Sequence, residues 1–175
     1  LEENFGSESG YLGFLRDSPS AAQRLCHVLS NSRFLGDALN KSVESVTWLG
    51  NDDSLQPRSR ESLDIQTKAT LERNAGNIND FANSIRAMRR HEIERIGLAW
   101  MSGVIDDEAS LAGMTDVYDA AIEASLQWAI QHRINDIQID EAPAAIAIIG
   151  MGRYGGREVN FSSDADVIII YRPAE

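Results

Sequence analysis

Ala144-Ala145-Ile146-Ala147-Ile148-Ile149, Gly150-Met151-Gly152-Arg153-Tyr154-Gly155-Gly156, Arg157-Glu158-Val159-Asn160-Phe161-Ser162-Ser163, Asp164-Ala165-Asp166 and Val167-Ile168-Ile169-Ile170-Tyr171 follow one another without interruption. Two short apolar runs flank a glycine-rich turn and a pair of acids. Runs of this length, bounded by glycines and, in the second, rich in β-branched residues, predict buried strands. The polar, acidic connection Asp136 to Pro143 in front of them marks a boundary, giving a helical region over 1–140 and the start of a second domain over 141–175. The fold class expected is α+β, a mainly helical segment followed by the first strands of a sheet.

Working upstream, Val117, Tyr118, Ala121, Ile122, Leu126, Ala129 and Ile130 form a helical stripe that starts after Asp106-Asp107 and reaches His132 or Ile134, with Gly113 as a point of interruption. A long helix begins near Asn77, with Ile78, Phe81, Ile85, Met88, Ile93, Ile96, Trp100 and Val104 recurring at three and four. Its polar side carries Arg86, Arg89, Arg90, Glu92 and Arg95 and reads as a solvated face. Gly50 to Ser54, with Pro57 beyond, reads as a loop. Phe34, Leu35, Ala38, Leu39 and Val43 predict a helix over Arg33 to Val46, and Ser18-Pro19 predicts a helix start with Ser18 as N-cap. There is no internal repeat.

The balance of 27 acidic against 16 basic residues, a formal net charge of -11, argues against a chain built to grip nucleic acid, which needs surplus Lys and Arg. Binding a single nucleotide through metal ions remains compatible with it. Leu1 to Gly10 lack the basic and apolar pattern of a signal peptide, and Ala142 to Gly150 falls far short of the roughly 20 residues of a membrane helix. The single cysteine, Cys26, excludes an internal disulfide and fits a reducing cytoplasm; beside Leu25 and Val28 it reads as a small core residue. The absence of an initiating Met suggests an excised fragment. His27, His91 and His132 are too dispersed to form a ligand set, and Trp48, Trp100 and Trp128 are expected to pack between helices.

Gly150, Gly152 and Gly155 match the G-x-G-x-x-G dinucleotide pattern, but only seven residues separate Gly156 from Asp164, too few for a crossover helix of a dozen or more. The other reading uses both halves of the segment. Glycines let backbone N–H groups approach phosphate, and residues two apart in a strand face the same way, which sets Asp164 and Asp166 side by side about 6–7 Å apart. Such a pair suits Mg²⁺, which takes one or two carboxylates together with substrate phosphates and waters. An Asp-x-Asp glycosyltransferase would show the acids without needing the glycine doublet. A helical interaction module, with the strands as scaffold, also stays open; it would leave both acids capped by local hydrogen bonds.

The run Gly150-Met151-Gly152-Arg153-Tyr154-Gly155-Gly156-Arg157-Glu158, with Asn160-Phe161-Ser162-Ser163-Asp164-Ala165-Asp166 behind it, resembles the signature of glutamine synthetase adenylyltransferases, within the polymerase-β-like nucleotidyltransferases. The resemblance extends upstream through Leu15 to Leu29 and Arg89 to Ala99. It implies a nucleotidyltransferase sheet and transfer of AMP from ATP to a tyrosine of glutamine synthetase. Asp164 and Asp166 would be the catalytic and metal-binding residues for two Mg²⁺ ions. Gly155, Gly156, Ser163 and Arg153 would bind the nucleotide, with Glu158 a salt-bridge partner for Arg153 or Arg157. Glutamine synthetase is the implied protein substrate and a PII-type signalling protein a further partner, with no nucleic acid or membrane. Such enzymes carry an AMP-attaching and an AMP-removing half. The upstream helices resemble the attaching half, while Asn160 to Ser163 would also suit the removing one. The family's third carboxylate lies on a later strand, beyond Glu175, so the 175 residues alone are expected to be inactive.

Overall fold

A computed structural model describes residues 8–142 and 144–173; the leading acidic stretch 1–7 and Pro143, on which two of the readings above bear, lie outside them. The element order is α1 (Glu8–Asp17), α2 (Pro19–Asn31), α3 (Arg33–Lys41), a 3₁₀ segment (Val43–Gly50), α4 (Asp52–Leu55), α5 (Arg60–Arg73), α6 (Ile78–Met101), α7 (Asp107–Ile137), β1 (Ala144–Gly150), α8 (Gly152–Gly155) and β2 (Val167–Pro173). This is the α+β arrangement expected, helices first and strands last.

Helix starts follow local chemistry. Ser32 Oγ accepts from Leu35 N at 3.2 Å and Ser59 Oγ from Ser62 N at 3.2 Å. Asn77 Oδ1 takes the N–H groups of Asn79 and Asp80, and Asp106 Oδ1 that of Ala109. Ser18 occupies the predicted N-cap, but its side chain makes no capping bond. Pro19 at the first helical position is what fixes the entry to α2. The helix expected over Arg33 to Val46 ends at Lys41, where Ser42, outside the helical conformation, turns the chain into the 3₁₀ segment. Within the expected loop, Asn51 accepts from Asp53 N and nucleates the single turn of α4. Gly113 does not interrupt α7, which runs through it for 31 residues. Helices α1 and α5 went unread; α5 presents little continuous apolar periodicity, burying Leu63 together with two threonines, Thr67 and Thr70.

The chain packs as two compact units, Leu1–Pro57 with Glu92–Ser110, and Arg58–His91 with Leu111–Glu175. These mix early and late segments, so they concern packing rather than the catalytic division drawn at residue 140. The core of the first is Ala21, Leu25, Val28, Leu35, Leu39, Val46, Leu49, Leu55, Leu98 and Ala99. Cys26 is exposed, against expectation, because on α2 it lies about 100° around the helix from Leu25.

The solvated face expected on α6 holds at Arg86 and Arg90, which are exposed, and fails further along the helix. Glu92, Glu94 and Arg95 are 2%, 5% and 9% exposed. From Glu92 to Ala99 nearly every side of α6 is covered, so periodicity gives way to pairing. Arg95 Nε donates to Glu92 Oε2 at 3.2 Å, its Nη1 donates to the Ser54 carbonyl, and its guanidinium lies 4.0 Å above the Trp48 ring. Glu94 is worse served, with Oε1 buried and unbonded among the described residues. Desolvation raises its pKa to about 7; Glu44 adds to the rise, while Ser45 and Arg95 offset part of it.

The second unit buries Leu63, Phe81, Ile85, Met88, Met114, Val117, Ala120, Ala121, Ala124, Trp128, Tyr154 and Val159. Trp128 stacks on Phe81 at 5.8 Å and on His132 at 4.7 Å. Trp100, by contrast, is 43% exposed, with its indole N–H donating to Asp107. β1 and β2 pair antiparallel from Ala144↔Pro173 to Gly150↔Val167. The expectation of buried strands is not met. β2 is exposed throughout and β1 largely so, because among the described residues no third strand or further layer covers this two-stranded ribbon.

Because folding raises the Glu94 pKa above its unfolded value of about 4.5, the folded state holds the proton more tightly and is favoured while Glu94 is protonated. Stability of the first unit therefore falls as pH rises from about 4.5 through about 7, and Glu94→Gln removes that part of the slope. Urea titrations of both proteins across this range measure it; equal slopes would contradict the assignment.

Candidate functional site

β1 hands the chain to the glycine turn at Gly150. The one-turn helix α8 follows at once, entered through Gly152 at φ +52°, a left-handed conformation that favours glycine. Gly155 returns directly over the end of β1. A Cβ built on it would lie 2.3 Å from the Gly150 carbonyl oxygen, so no side chain fits. The ring of Tyr154 closes the other side, within 3.0 Å of a Cβ placed at Gly150. Gly156 differs: its φ is -82° and a Cβ there would come no nearer than 3.4 Å to any atom. Nothing in the fold of the described residues demands glycine at 156.

The N–H groups of Gly155 and Gly156 donate to the carbonyls of Met151 and Gly152, at 2.9 and 3.0 Å. The doublet therefore offers bare backbone for close approach rather than free donors. Arg157 follows with φ +58°, a conformation costing a residue with a side chain about 1–2 kcal/mol. Its guanidinium donates to Asp116 on α7 at 2.8 Å and lies 3.8 Å from Asp119. The expected pairing with Glu158 is absent. Arg157 turns to the α7 acids instead, and Arg153 and Glu158 have no ion pair among the described residues.

From Asn160 the chain makes a tight polar turn. Asn160 Oδ1 accepts from Ser162 N, Ser162 Oγ and Ser163 Oγ, at 3.0, 3.1 and 3.0 Å, while Ser163 Oγ accepts from Asn160 N. The single hydroxyl proton of Ser163 is thus already used, and offering it to a nucleotide requires giving up Asn160. The turn leads through Asp164-Ala165-Asp166 into β2, where Met151 N donates to the Asp166 carbonyl at 2.9 Å. Asp164 and Asp166 are exposed and Ala165 half-buried, but all three precede β2, which begins at Val167, so the pair does not sit within the strand as expected. Neither carboxylate takes a hydrogen bond or ion pair among the described residues, which separates them from acids serving as turn caps.

Beside this segment lies a groove of about 630 Å³, lined by Ala165 and Val167 and by Phe81, Tyr118, Ile122 and Trp128. Asp164 and Ser163 also line it, with Arg86 and Arg89 of α6. The groove is mostly apolar, and of the two acids it takes in Asp164 but not Asp166. No cluster of three or more His, Cys, Asp or Glu side chains suited to a metal occurs among the described residues. Two carboxylates, however, match what Mg²⁺ takes from a protein when phosphates and waters complete its shell. The sequence reading missed Tyr154 and the aspartates of α7. Tyr154 is 8% exposed, and its hydroxyl donates to Asp119 Oδ1 at 2.6 Å. Burial first, then the bond to Asp119, pushes the phenol pKa well above its usual range. The spacing Asp116, Asp119 on one α7 face was visible in sequence, but nothing there linked it to residues some 35–41 positions on.

The two glycines of the doublet should part company on substitution. Gly155→Ala forces the turn off β1 and costs about 1–3 kcal/mol, whereas Gly156→Ala stays within about 0.5 kcal/mol of wild type. Chemical denaturation of the two variants reads the difference; equal losses would contradict the geometry.

A family model described as glutamate-ammonia ligase adenylyltransferase matches residues 22–175. A bifunctional glutamine synthetase adenylyltransferase/adenylyl-removing enzyme of Bifidobacterium longum (strain DJO10A) is 74% identical over 175 residues, covering 100% of this chain and 16% of the relative. The enzyme of that description from Leifsonia xyli subsp. xyli (strain CTCB07) is 38% identical over 173 residues, 99% of this chain and 17% of the relative. That of Mycobacterium tuberculosis (strain ATCC 25618 / H37Rv) is 36% identical over 177 residues, 99% and 18%. The chain thus spans under a fifth of the length of these curated relatives. No solved structure matches it. With a family model covering most of its length, the chain belongs to the glutamate-ammonia ligase adenylyltransferase family.

Proposed function

We propose that these residues form the nucleotide-handling corner of an enzyme that transfers AMP from ATP to a tyrosine of glutamine synthetase, in the AMP-attaching half. The observation that carries this reading is the state of Asp164 and Asp166, two exposed carboxylates without local partners, held beside the glycine turn by the Met151–Asp166 bond. The functional division at residue 140, helical region before and catalytic start after, belongs to the same proposal.

Asp164 and Asp166 would hold Mg²⁺, which supplies positive charge against the triphosphate and the developing negative charge of transfer. Gly156, with no side chain and no steric need for its absence within the fold, lets phosphate oxygens approach the backbone, and Gly155 sets the height of that approach. Arg153, exposed beside them, is placed to meet a phosphate as a charge partner. Ser163 first builds the turn that presents Asp164 and reaches the nucleotide only by leaving Asn160. A tyrosine hydroxyl has a pKa near 10, so the attacking phenol needs a cation to stabilise its phenolate or a carboxylate not bound to metal to accept its proton. Glutamine synthetase as protein substrate, a PII-type signalling partner and a cytoplasmic setting follow from the same reading. No helix of the described residues is long and apolar enough to cross a membrane.

Asp164→Asn or Asp166→Asn in the full-length enzyme should lower AMP attachment to glutamine synthetase by at least about 10²-fold with AMP removal retained. The same changes in the 175-residue chain should weaken Mn²⁺ binding. Attachment at wild-type rates in both variants would rule the site out, and loss of removal alone would assign this segment to the other half.

A further inference from the structure

Two side chains leave the glycine turn and grip α7. Tyr154, inside α8, donates its buried hydroxyl to Asp119 Oδ1 at 2.6 Å. Arg157, just past Gly156, donates to Asp116 Oδ1 at 2.8 Å and lies 3.8 Å from Asp119 Oδ2. Asp119 Oδ2 is also met by Arg60 of α5 at 3.3 Å, and Arg60 by Asp64 at 2.8 Å. The chain therefore brackets Gly155-Gly156 between two anchors, one on either side, both ending on neighbouring acids one turn apart on a 31-residue helix.

Two features argue that this is more than surface pairing. Tyr154 is the buried member; burying a hydroxyl is costly unless it is bonded, and a leucine-like residue would fill the space without a partner. Arg157 occupies a left-handed conformation that glycine would adopt freely, directly after a glycine doublet, so its side chain is what recommends it there. Both anchors act on the same short stretch of backbone, the stretch whose height over β1 decides how close a phosphate comes to Gly156.

We propose that Tyr154 and Arg157, held by Asp119 and Asp116, are positioning residues that set the glycine turn against α7 and thereby tune the enzyme's hold on its nucleotide. This rests on the nucleotidyltransfer reading of the turn. Neither residue touches the reacting atoms. Both act by fixing the backbone that does, where a displacement near 1 Å carries a large penalty.

The test uses the full-length enzyme with Tyr154→Phe, Arg157→Gly and, as a control on the site itself, Asp166→Asn. The rate of AMP attachment is followed with ATP and then glutamine synthetase as the varied substrate, beside thermal unfolding. Each positioning variant should raise the KM for ATP at least about tenfold, leaving the KM for glutamine synthetase unchanged and lowering the unfolding temperature by no more than about 3 °C. An ATP KM within about twofold of wild type, with Asp166→Asn inactive, overturns the positioning role and leaves the site standing. Parallel shifts in both KM values reduce the two side chains to general structure and overturn it as well. Failure of Arg157→Gly to fold also overturns it, since glycine suits that backbone. Full attachment activity in Asp166→Asn removes the site reading and the positioning role with it.

Discussion

Gly155 lies so close over the carbonyl of Gly150 that the one-turn helix α8 folds directly back on the end of β1. A side chain there would push α8 away from the strand, and the Met151–Asp166 hydrogen bond, which lies immediately beyond the last ladder pair, would open. The acid pair owes its position to that bond. The tight polar turn at Asn160 is held by its own three accepted hydrogen bonds and leads into the same segment. One steric exclusion thus governs where two carboxylates stand.

Much of this was legible in the residues. The strands, the turn between them and the spacing of the acids depend on short-range rules, since period-two runs, glycines and Asx turns are properties of adjacent residues. The long helices α6 and α7 declared themselves by periodicity, and Pro19 and Asn77 marked starts that the structure keeps. What stayed hidden depends on neighbours distant in sequence. Glu92, Glu94 and Arg95 look like solvated charges in a helix, and only the partners around them, Trp48, Ser45 and the Ser54 carbonyl, make their burial tolerable. Cys26 looked buried because Leu25 was, although adjacent residues on a helix point about 100° apart.

The candidate site shows the same division. Asp164, Asp166 and Gly155 are candidates that local pattern alone suggests. The commitment of Ser163 to Asn160 is equally local and could have been read from the Asn-x-Ser-Ser spacing, which is an Asx-turn pattern. The partners of Tyr154 and Arg157 could not, because α7 lies across a strand and a linker from them in the chain. Arg157 in particular read as one more polar residue of a signature; its left-handed backbone is a fact of three dimensions.

Neither compact unit is contiguous in sequence, and α6 supplies both. During synthesis from the amino terminus, the first unit cannot close until Glu92–Ser110 have left the ribosome, by which time α5 and the first half of α6 have emerged without the residues that will cover them. Phe81, Ile85 and Met88 then stand in water until α7 arrives. The order of emergence thus opens an interval in which the nascent polypeptide shows an oily helical face, a vulnerable stage for aggregation and a natural moment for chaperone capture.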